Sequence, residues 1–319
     1  MEKIIPPVDR QLIKEELTKD KFIRVTNFEN NYIYIFTSHD CPNTMREIGR
    51  LREIAYRDSG GGSGKSCDID EFDTKSNPYK QIIVWNPQDE EIVGGYRYIN
   101  LKEADNIENT NDLATSKMFH LTDKFITEYM PYTMELGKSF VQPKYQPSVD
   151  DRKGMFSLDN LWDGLGALIV DNPDIKYFFG RVTLYLNYDQ EARDILLYFL
   201  YKYFGDKENI IYPYESRKIK TDPAKLEEIF TNEGFEQDFV KLNQAVRDRN
   251  ENIPPLIKAY MSLSPTIKIF GVAQNKHSYG GNMEGIAMMI KIQDIYPSKK
   301  KRHIESYKKQ KNKNQKELL

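Results

Sequence analysis

The residues of this sequence best suited to chemistry are acids and arginines rather than cysteines or histidines. Glu135 sits in the otherwise largely apolar or small-residue stretch Thr133–Val141, where a carboxylate is poised to take up a proton, directly or through a water. Its competing role is a structural ion pair with Arg97 or Lys138. Asp70 and Asp73 form an Asp-x-x-Asp pair that could bind an ammonium or simply cap and stiffen a loop. Arg52 and Arg97 have the planar fork that grips a carboxylate, and could equally pair with those same two acids.

Two other chemistries are weighed and set aside. The run Ser59-Gly60-Gly61-Gly62-Ser63-Gly64-Lys65-Ser66 resembles a phosphate-cradling loop, but the first glycine of that pattern falls on Ser59, and the run follows a helix where a strand is required. A mobile glycine-rich loop able to close over a site is the expectation instead. His39, His120, His277 and His303 share no ligand spacing on one element, so no metal site is expected. Cys41 and Cys67 are too few and too unpatterned for a disulfide framework and read as free thiols.

The elements that would position these residues follow from periodicity. After a polar leader over residues 1–30, Tyr32–Phe36 alternates as a strand, and Asp40-Cys41-Pro42-Asn43 supplies a turn and cap. The helix behind it carries Met45, Ile48, Leu51, Ile54 and Ala55 on one face and stops at Gly60-Gly61-Gly62. Asp68–Asp73 reads as a polar loop. Lys80–Trp85 and Ile92–Ile99 make a hairpin around Asn86-Pro87-Gln88-Asp89. Beyond a polar insert at 106–111, a helix is expected over Met118–Tyr129, then a strand over Thr133–Val141, a helix over Leu158–Val170, a strand over Tyr177–Leu186 and a helix over Gln190–Phe204. A charged helical segment over Asp222–Asn250, a helix after Pro254-Pro255, and closing strands at Ile267–Phe270 and Ile286–Ile292 complete residues 213–296. The pattern predicts an α/β chain: a mixed central sheet flanked by helices, with a helical C-terminal extension.

With 46 basic against 48 acidic residues, the chain has no general attraction for nucleic acid. Residues 297–319 are the local exception, rich in lysine and expected to be a disordered tail that could meet an anionic membrane face or an acidic carrier protein. No stretch approaches the ~18 apolar residues of a membrane span, and the N-terminus lacks a signal-peptide core, so a cytoplasmic protein is expected, peripheral to a membrane at most.

Arg52 with Tyr56, Asp70 with Asp73, Arg97 in Val93-Gly94-Gly95-Tyr96-Arg97, and Glu135-Leu136-Gly137-Lys138-Ser139 stand in an order and spacing that resembles the ornithine-lipid acyltransferase and hemolysin-like branch of the GNAT superfamily, akin to the acyl-homoserine lactone synthases. The resemblance runs from about Tyr32 to Tyr203 and resumes at Pro254–Tyr260. Within that branch the sequence is most similar to bacterial enzymes that acylate glycine. Lys138 departs from the pattern, standing where the family usually has an arginine.

The resemblance implies the GNAT fold and an N-acyltransferase with no bound cofactor. Its donor would be an acyl-phosphopantetheine thioester on acyl carrier protein, with a long chain, plain or 3-hydroxylated, and its acceptor a small amino acid. Glycine is the expected acceptor, ornithine or lysine the alternative; a membrane-associated binding protein without turnover is the reading from another class. In this fold the pantetheine arm lies between two splayed strands, here Thr133–Val141 and Tyr177–Leu186. Backbone amides near Ser139, Phe140 and Val141 would bind the arm and the oxyanion, making Ser139 with Glu135 the candidate catalytic residues. Arg52, Tyr56, Asp70, Phe72, Asp73, Arg97 and Lys138 are the candidate substrate-binding residues. Arg152 and Lys153, ahead of a helix opened by Ser157 or Asn160, would face the acidic carrier and its phosphate.

Overall fold

The structure is a computed structural model that describes residues 1–104, 113–146, 154–230, 234–275 and 283–317, with side chains described to residue 313. Its strands are β1 (Phe22–Val25), β2 (Tyr32–Phe36), β3 (Lys80–Asn86), β4 (Glu91–Asn100), β5 (Phe119–Leu121), β6 (Thr133–Val141), β7 (Tyr177–Tyr185), β8 (Ile211–Pro213), β9 (Lys268–Gln274) and β10 (Met283–Lys291). The helices are α1 (Arg10–Glu16), α2 (Pro42–Asp58), α3 (Glu71–Thr74), α4 (Ser157–Asp171), α5 (Gln190–Phe204), α6 (Pro223–Ile229), α7 (Phe235–Arg247), α8 (Pro255–Met261) and α9 (Ser306–Glu317). Eight strands form one sheet in the order β1-β2-β3-β4-β6-β7-β10-β9, and β5 pairs with β8 apart from it.

Helices cover both faces, which is why β3, β4 and β10 are buried along almost their whole length. On one face Leu161 and Leu165 of α4, Leu196 and Phe199 of α5 and Tyr260 of α8 pack on Ile82, Tyr96, Leu136 and Val182. On the other, Met45, Ile48 and Leu51 of α2 pack on Ile83, Trp85 and Phe140, and a second cluster gathers Phe72, Tyr79, Phe119, Phe125 and Phe179.

Every neighbouring pair in the sheet is antiparallel except β6 with β7, the parallel pair whose crossover carries α4. That pair joins only Thr133–Leu136 to Tyr177–Gly180. A Cβ on Gly180 would stand 2.3 Å from the Leu136 carbonyl oxygen, so the strands touch backbone to backbone there. Past that contact they part, β6 staying with β4 and β7 with β10. A bulge helps β6 turn away: its register against β4 slips between Gly95 and Arg97, and Lys138 takes a positive φ of 50°.

Several sequence expectations are corrected. The leader is structured, since Phe22–Val25 forms the edge strand and Arg10–Glu16 a helix. Helix α2 has no side-chain cap of its own at Cys41; Glu16 of α1 serves, its carboxylate accepting from the backbone of Asn43 (2.8 Å) and Thr44 (2.7 Å). Met118–Tyr129 is not one helix. Phe119-His120-Leu121 buries alternate residues as a strand must and pairs with β8, and a π-helical turn follows over Phe125–Tyr129. The loop at Asp68–Asp73 contains a capping box, Asp70 receiving the Phe72 amide and Asp73 returning to the Asp70 amide, which starts α3.

The basic tail expected to be disordered is helical through Glu317. Ile304 and Tyr307 are buried, Tyr307 donates to Asp171 of α4 at 3.0 Å, and Arg24 of β1 donates to the His303 carbonyl at 3.1 Å. The polar insert at 106–111 lies outside the described residues. Among the described residues no helix is long and apolar enough to cross a membrane.

Candidate active site

The residues of interest converge on one face of the sheet because strand alternation puts them there. Gln81 pairs with Arg97, Arg97 with Gly137, and Glu135 with Phe179, so these side chains share a face with Arg181, two residues beyond Phe179. Helix α2 brings Arg52 and Tyr56 to the same side, and α3 brings Asp70 and Asp73.

Arg52 and Asp73 have no exposed surface. Arg52 Nη1 meets both Asp73 oxygens at 3.2 and 3.1 Å, and Gln81 bridges them, accepting from Arg52 at 2.6 Å and donating to Asp73 at 3.1 Å. Arg97 then donates to Asp70 at 2.5 Å and lies 3.3 Å from Asp73. Lys138 reaches both oxygens of Asp68 at 2.7 and 2.8 Å and stands 3.7 Å from Asp70. Burial alone would raise the pKa of both Asp70 and Asp73, but the positive charges, foremost Arg97 on Asp70 and Arg52 with Arg97 on Asp73, outweigh it and hold both carboxyls below their usual range. Burial works against the Arg97 cation too, and Asp73 and Asp70 overcome it, so its affinity for its proton rises. The arginines and aspartates therefore occupy each other. The capping and pairing roles weighed in the sequence are the contacts these side chains make.

Glu135 is 1% exposed and forms no ion pair with Arg97 or Lys138. Its Oε2 accepts from the Tyr79 hydroxyl, and its Oε1 accepts from both the amide (2.8 Å) and the hydroxyl of Thr115. Tyr79 is held in turn by the Ala114 amide at 3.0 Å. Burial, then the neighbouring Glu135 charge, pushes the Tyr79 phenol well up, so it stays a donor. A carboxylate offers about four lone-pair sites. With three donors in place, Oε2 has room for one more.

Beyond the last β6–β7 pair, the parting strands leave a narrow cleft lined by Gly137 and Ser139 of β6, Arg181 of β7, Tyr96 of β4, and Leu256 and Tyr260 of α8. The Tyr96 hydroxyl is buried there beside Ser139 and Tyr260 without hydrogen-bond geometry to either. Arg181 has no carboxylate at ion-pair distance among the described residues; its guanidinium contacts the Met118 sulfur. Burial lowers its hold on its proton, and Glu135 is the foremost charge working against that loss.

The remaining expected residues fall as follows. The buried Tyr56 hydroxyl donates to the Ser139 carbonyl at 3.2 Å, on the bulge of β6. Phe72 packs in the core under the Arg97 guanidinium, 5.4 Å from its ring centre. The Phe140 side chain is buried against α2, and Phe140 pairs with Gly95 of β4. Val141 pairs with Gly94 across the β4 interface. Ser157 and Asn160 do open α4 but turn inward, Ser157 donating to the Tyr145 carbonyl at 2.9 Å and Asn160 to Glu29 at 3.0 Å. Arg152 and Lys153 lie outside the described residues.

The glycine-rich run does cradle an anion, but an internal one. The amides of Ser63 and Gly64 each donate to the Glu53 carboxylate at 2.9 Å, which pins the loop to α2. Burial pushes the Cys67 thiol up to about 11 and Cys41 to about 12, so neither is a thiolate at neutral pH.

Sequence reasoning missed Tyr79, Thr115, Gln81, Asp68, Tyr96, Tyr260 and Arg181. One signal was present: Arg181 is the only charged residue in Tyr177–Tyr185.

Comparison with known proteins shows the family to which the chain belongs. The family model described as an acetyltransferase (GNAT) domain matches residues 51–150, which hold α3, β3, β4 and β6. The glycine N(alpha)-acyltransferase of Phocaeicola vulgatus is 51% identical over 312 residues, covering 97% of this chain and 95% of that protein. That of Bacteroides thetaiotaomicron is 51% identical over 312 residues, covering 96% and 91%. Among solved structures, a CoA-dependent acyl-homoserine lactone synthase with SAM and isopentyl-CoA superposes at a TM-score of 0.31 and 12% identity, over 52% of this chain and 72% of that one.

Proposed function

Because the chain belongs to the glycine N(alpha)-acyltransferase family, we propose that it moves a fatty acyl group from the phosphopantetheine thioester of an acyl carrier protein to the amine of glycine, the first step of glycine lipid synthesis. The observation that carries this reading is the opening between β6 and β7. It is a slot between two strand edges, lined on β6 by Leu136 and Gly137, the residues that follow the buried Glu135, and acyl transfer to an amine asks for little else.

In this reading the acyl-pantetheine arm enters the opening along the free edge of β6. The bulge takes Lys138 and Ser139 out of the β4 ladder, to which Phe140 and Val141 return opposite Gly95 and Gly94, and an amide of Ser139–Val141 on the side facing β7 meets the thioester oxygen as negative charge gathers on it. The amine nitrogen attacks the carbonyl carbon, the C–N bond forms and the C–S bond breaks. Glu135 takes the proton shed by the nitrogen and passes it to the departing sulfur, which leaves as a thiol. With the carboxylate buried, a bridging water is the route from amine to Oε2. Tyr79 and Thr115 hold that carboxylate in one orientation.

Arg52, Asp73, Arg97, Asp70 and Lys138 act in this reading as the frame that fixes β4, β6 and α3 around the opening. Phe72 and Tyr56 hold Arg97 and the bulge in place. A second ammonium, as ornithine or lysine would bring, needs a free carboxylate, and Asp68, Asp70 and Asp73 are each already met by a cation; this supports glycine. Arg152 and Lys153 are the proposed contacts to the acidic carrier. The basic surface of the tail is proposed as a peripheral contact with an anionic membrane.

The test is mass spectrometry of products from purified protein given 3-hydroxyacyl carrier protein, or the same acyl group on CoA, with glycine, ornithine, lysine and serine in competition. N-acylglycine from the carrier-bound donor is expected. Ornithine or lysine products would overturn the acceptor, and equal use of the CoA thioester would overturn the carrier.

A further inference from the structure

On the functional face of the sheet the charges divide unevenly. Asp68, Asp70 and Asp73 are met by Lys138, Arg97 and Arg52. Glu135 is held by a phenol, an amide and a hydroxyl, and Arg181 by a thioether. These two unmatched charges stand on the two strands that part, Glu135 at the last residues of the β6–β7 contact and Arg181 one step past it, on the same face. A part-buried guanidinium with no carboxylate at ion-pair distance among the described residues carries an electrostatic cost that a ligand's anion would offset.

We propose that Arg181 receives the carboxylate of the amino-acid acceptor, so that the acceptor bridges the opening with its carboxylate on β7 and its amine toward Glu135 on β6; this deepens the acyltransferase reading above and rests on it. A zwitterion matches the pair of unmatched charges, negative end to Arg181 and nitrogen to the vacant site on Oε2. The planar fork suits a carboxylate in a bidentate grip, and Met118, its present neighbour, is a flexible thioether that can yield. The opposite side of the cleft offers hydroxyls of Tyr96, Ser139 and Tyr260 beside apolar Leu256 and Ile290, which suits the neutral amides of a pantetheine arm better than a carboxylate. The carboxylate itself is unchanged in the reaction, so Arg181 acts on binding and orientation.

The test compares glycine with glycinamide, which keeps the amine and lacks the anion, in wild type, Arg181→Lys and Arg181→Met. Wild type is expected to prefer glycine strongly. Arg181→Met should raise KM for glycine by about 30-fold or more and erase the preference, leaving KM for the acyl donor within about threefold, while Arg181→Lys keeps part of the preference. Guanidinium ion added to Arg181→Ala should restore glycine use in part, a readout that mere loss of packing would not give. An unchanged preference in Arg181→Met, or an effect confined to the donor KM, overturns the proposal. If wild type prefers another amino acid, the glycine reading falls, and the same acid-to-amide comparison on that acceptor still decides the role of Arg181.

Discussion

Two neighbouring regions of this face are built from the same residue types and end in opposite states. Under α2 and α3, Arg52, Asp73, Arg97, Asp70, Lys138 and Asp68 close on one another in ion pairs, with the Nε atoms of Arg52 and Arg97 left unpartnered. Elsewhere on the same face, at the edge of the β6–β7 opening, Glu135 and Arg181 have no ion-pair partner among the described residues, Glu135 being held by a phenol, an amide and a hydroxyl and Arg181 by the Met118 sulfur alone. The first arrangement recovers the cost of burying charge within the protein; the second leaves part of that recovery to a ligand. An arginine or aspartate in a family motif therefore says little about contact with substrate until its partners are known.

The comparison breaks most visibly if the closed network is cut. Asp73→Ala leaves two buried guanidinium groups facing a gap and is expected to cost about 3–5 kcal/mol of stability, read as a fall in the urea midpoint. Acid should act on the same bonds more gently. Asp70 and Asp73 are more acidic folded than unfolded, so their contribution is whole above the ordinary carboxylate range near pH ~4 and is lost as pH falls through and below it. The melting temperature should hold from pH 7 to about 5 and drop below about 4, with a shallower drop in Asp73→Asn.

Smaller effects sharpen the contrast. Tyr56→Phe removes one hydrogen bond to the Ser139 carbonyl and should cost about 1 kcal/mol by denaturant titration. Lys311→Ala loses a half-exposed pair with Asp171 that docks the tail on α4, worth about 0–1 kcal/mol and vanishing in high salt.

Most of the sheet was legible in the sequence because its strands are short apolar runs punctuated by turn residues, and Thr133–Val141 and Gln190–Phe204 coincide with their expected bounds. What failed had distant causes. The cap of α2 comes from Glu16 on another helix, and the tail is ordered by a surface of α4 that no local pattern announces. Phe119–Leu121 becomes a strand because β8, about ninety residues on, is there to pair with it. The site was legible in part: the motif acids and arginines do gather on one face. Their pairing with Gln81 and Asp68 was not, since these two residues belong to no recognisable pattern. Tyr79 and Thr115 were invisible for a like reason, being ordinary residues made important by the carboxylate they surround.

The measurement that bears most directly on this account sets turnover and melting temperature side by side for Glu135→Gln and Asp73→Asn, with carrier-bound donor and glycine. Glu135→Gln is expected to keep its melting temperature within a few degrees and to lose about 10²–10⁴-fold in kcat, while Asp73→Asn loses stability and keeps most of its turnover per folded molecule. The reverse, with Glu135→Gln unstable yet active and Asp73→Asn stable yet inert, would contradict the division of this face into a closed frame and an open site.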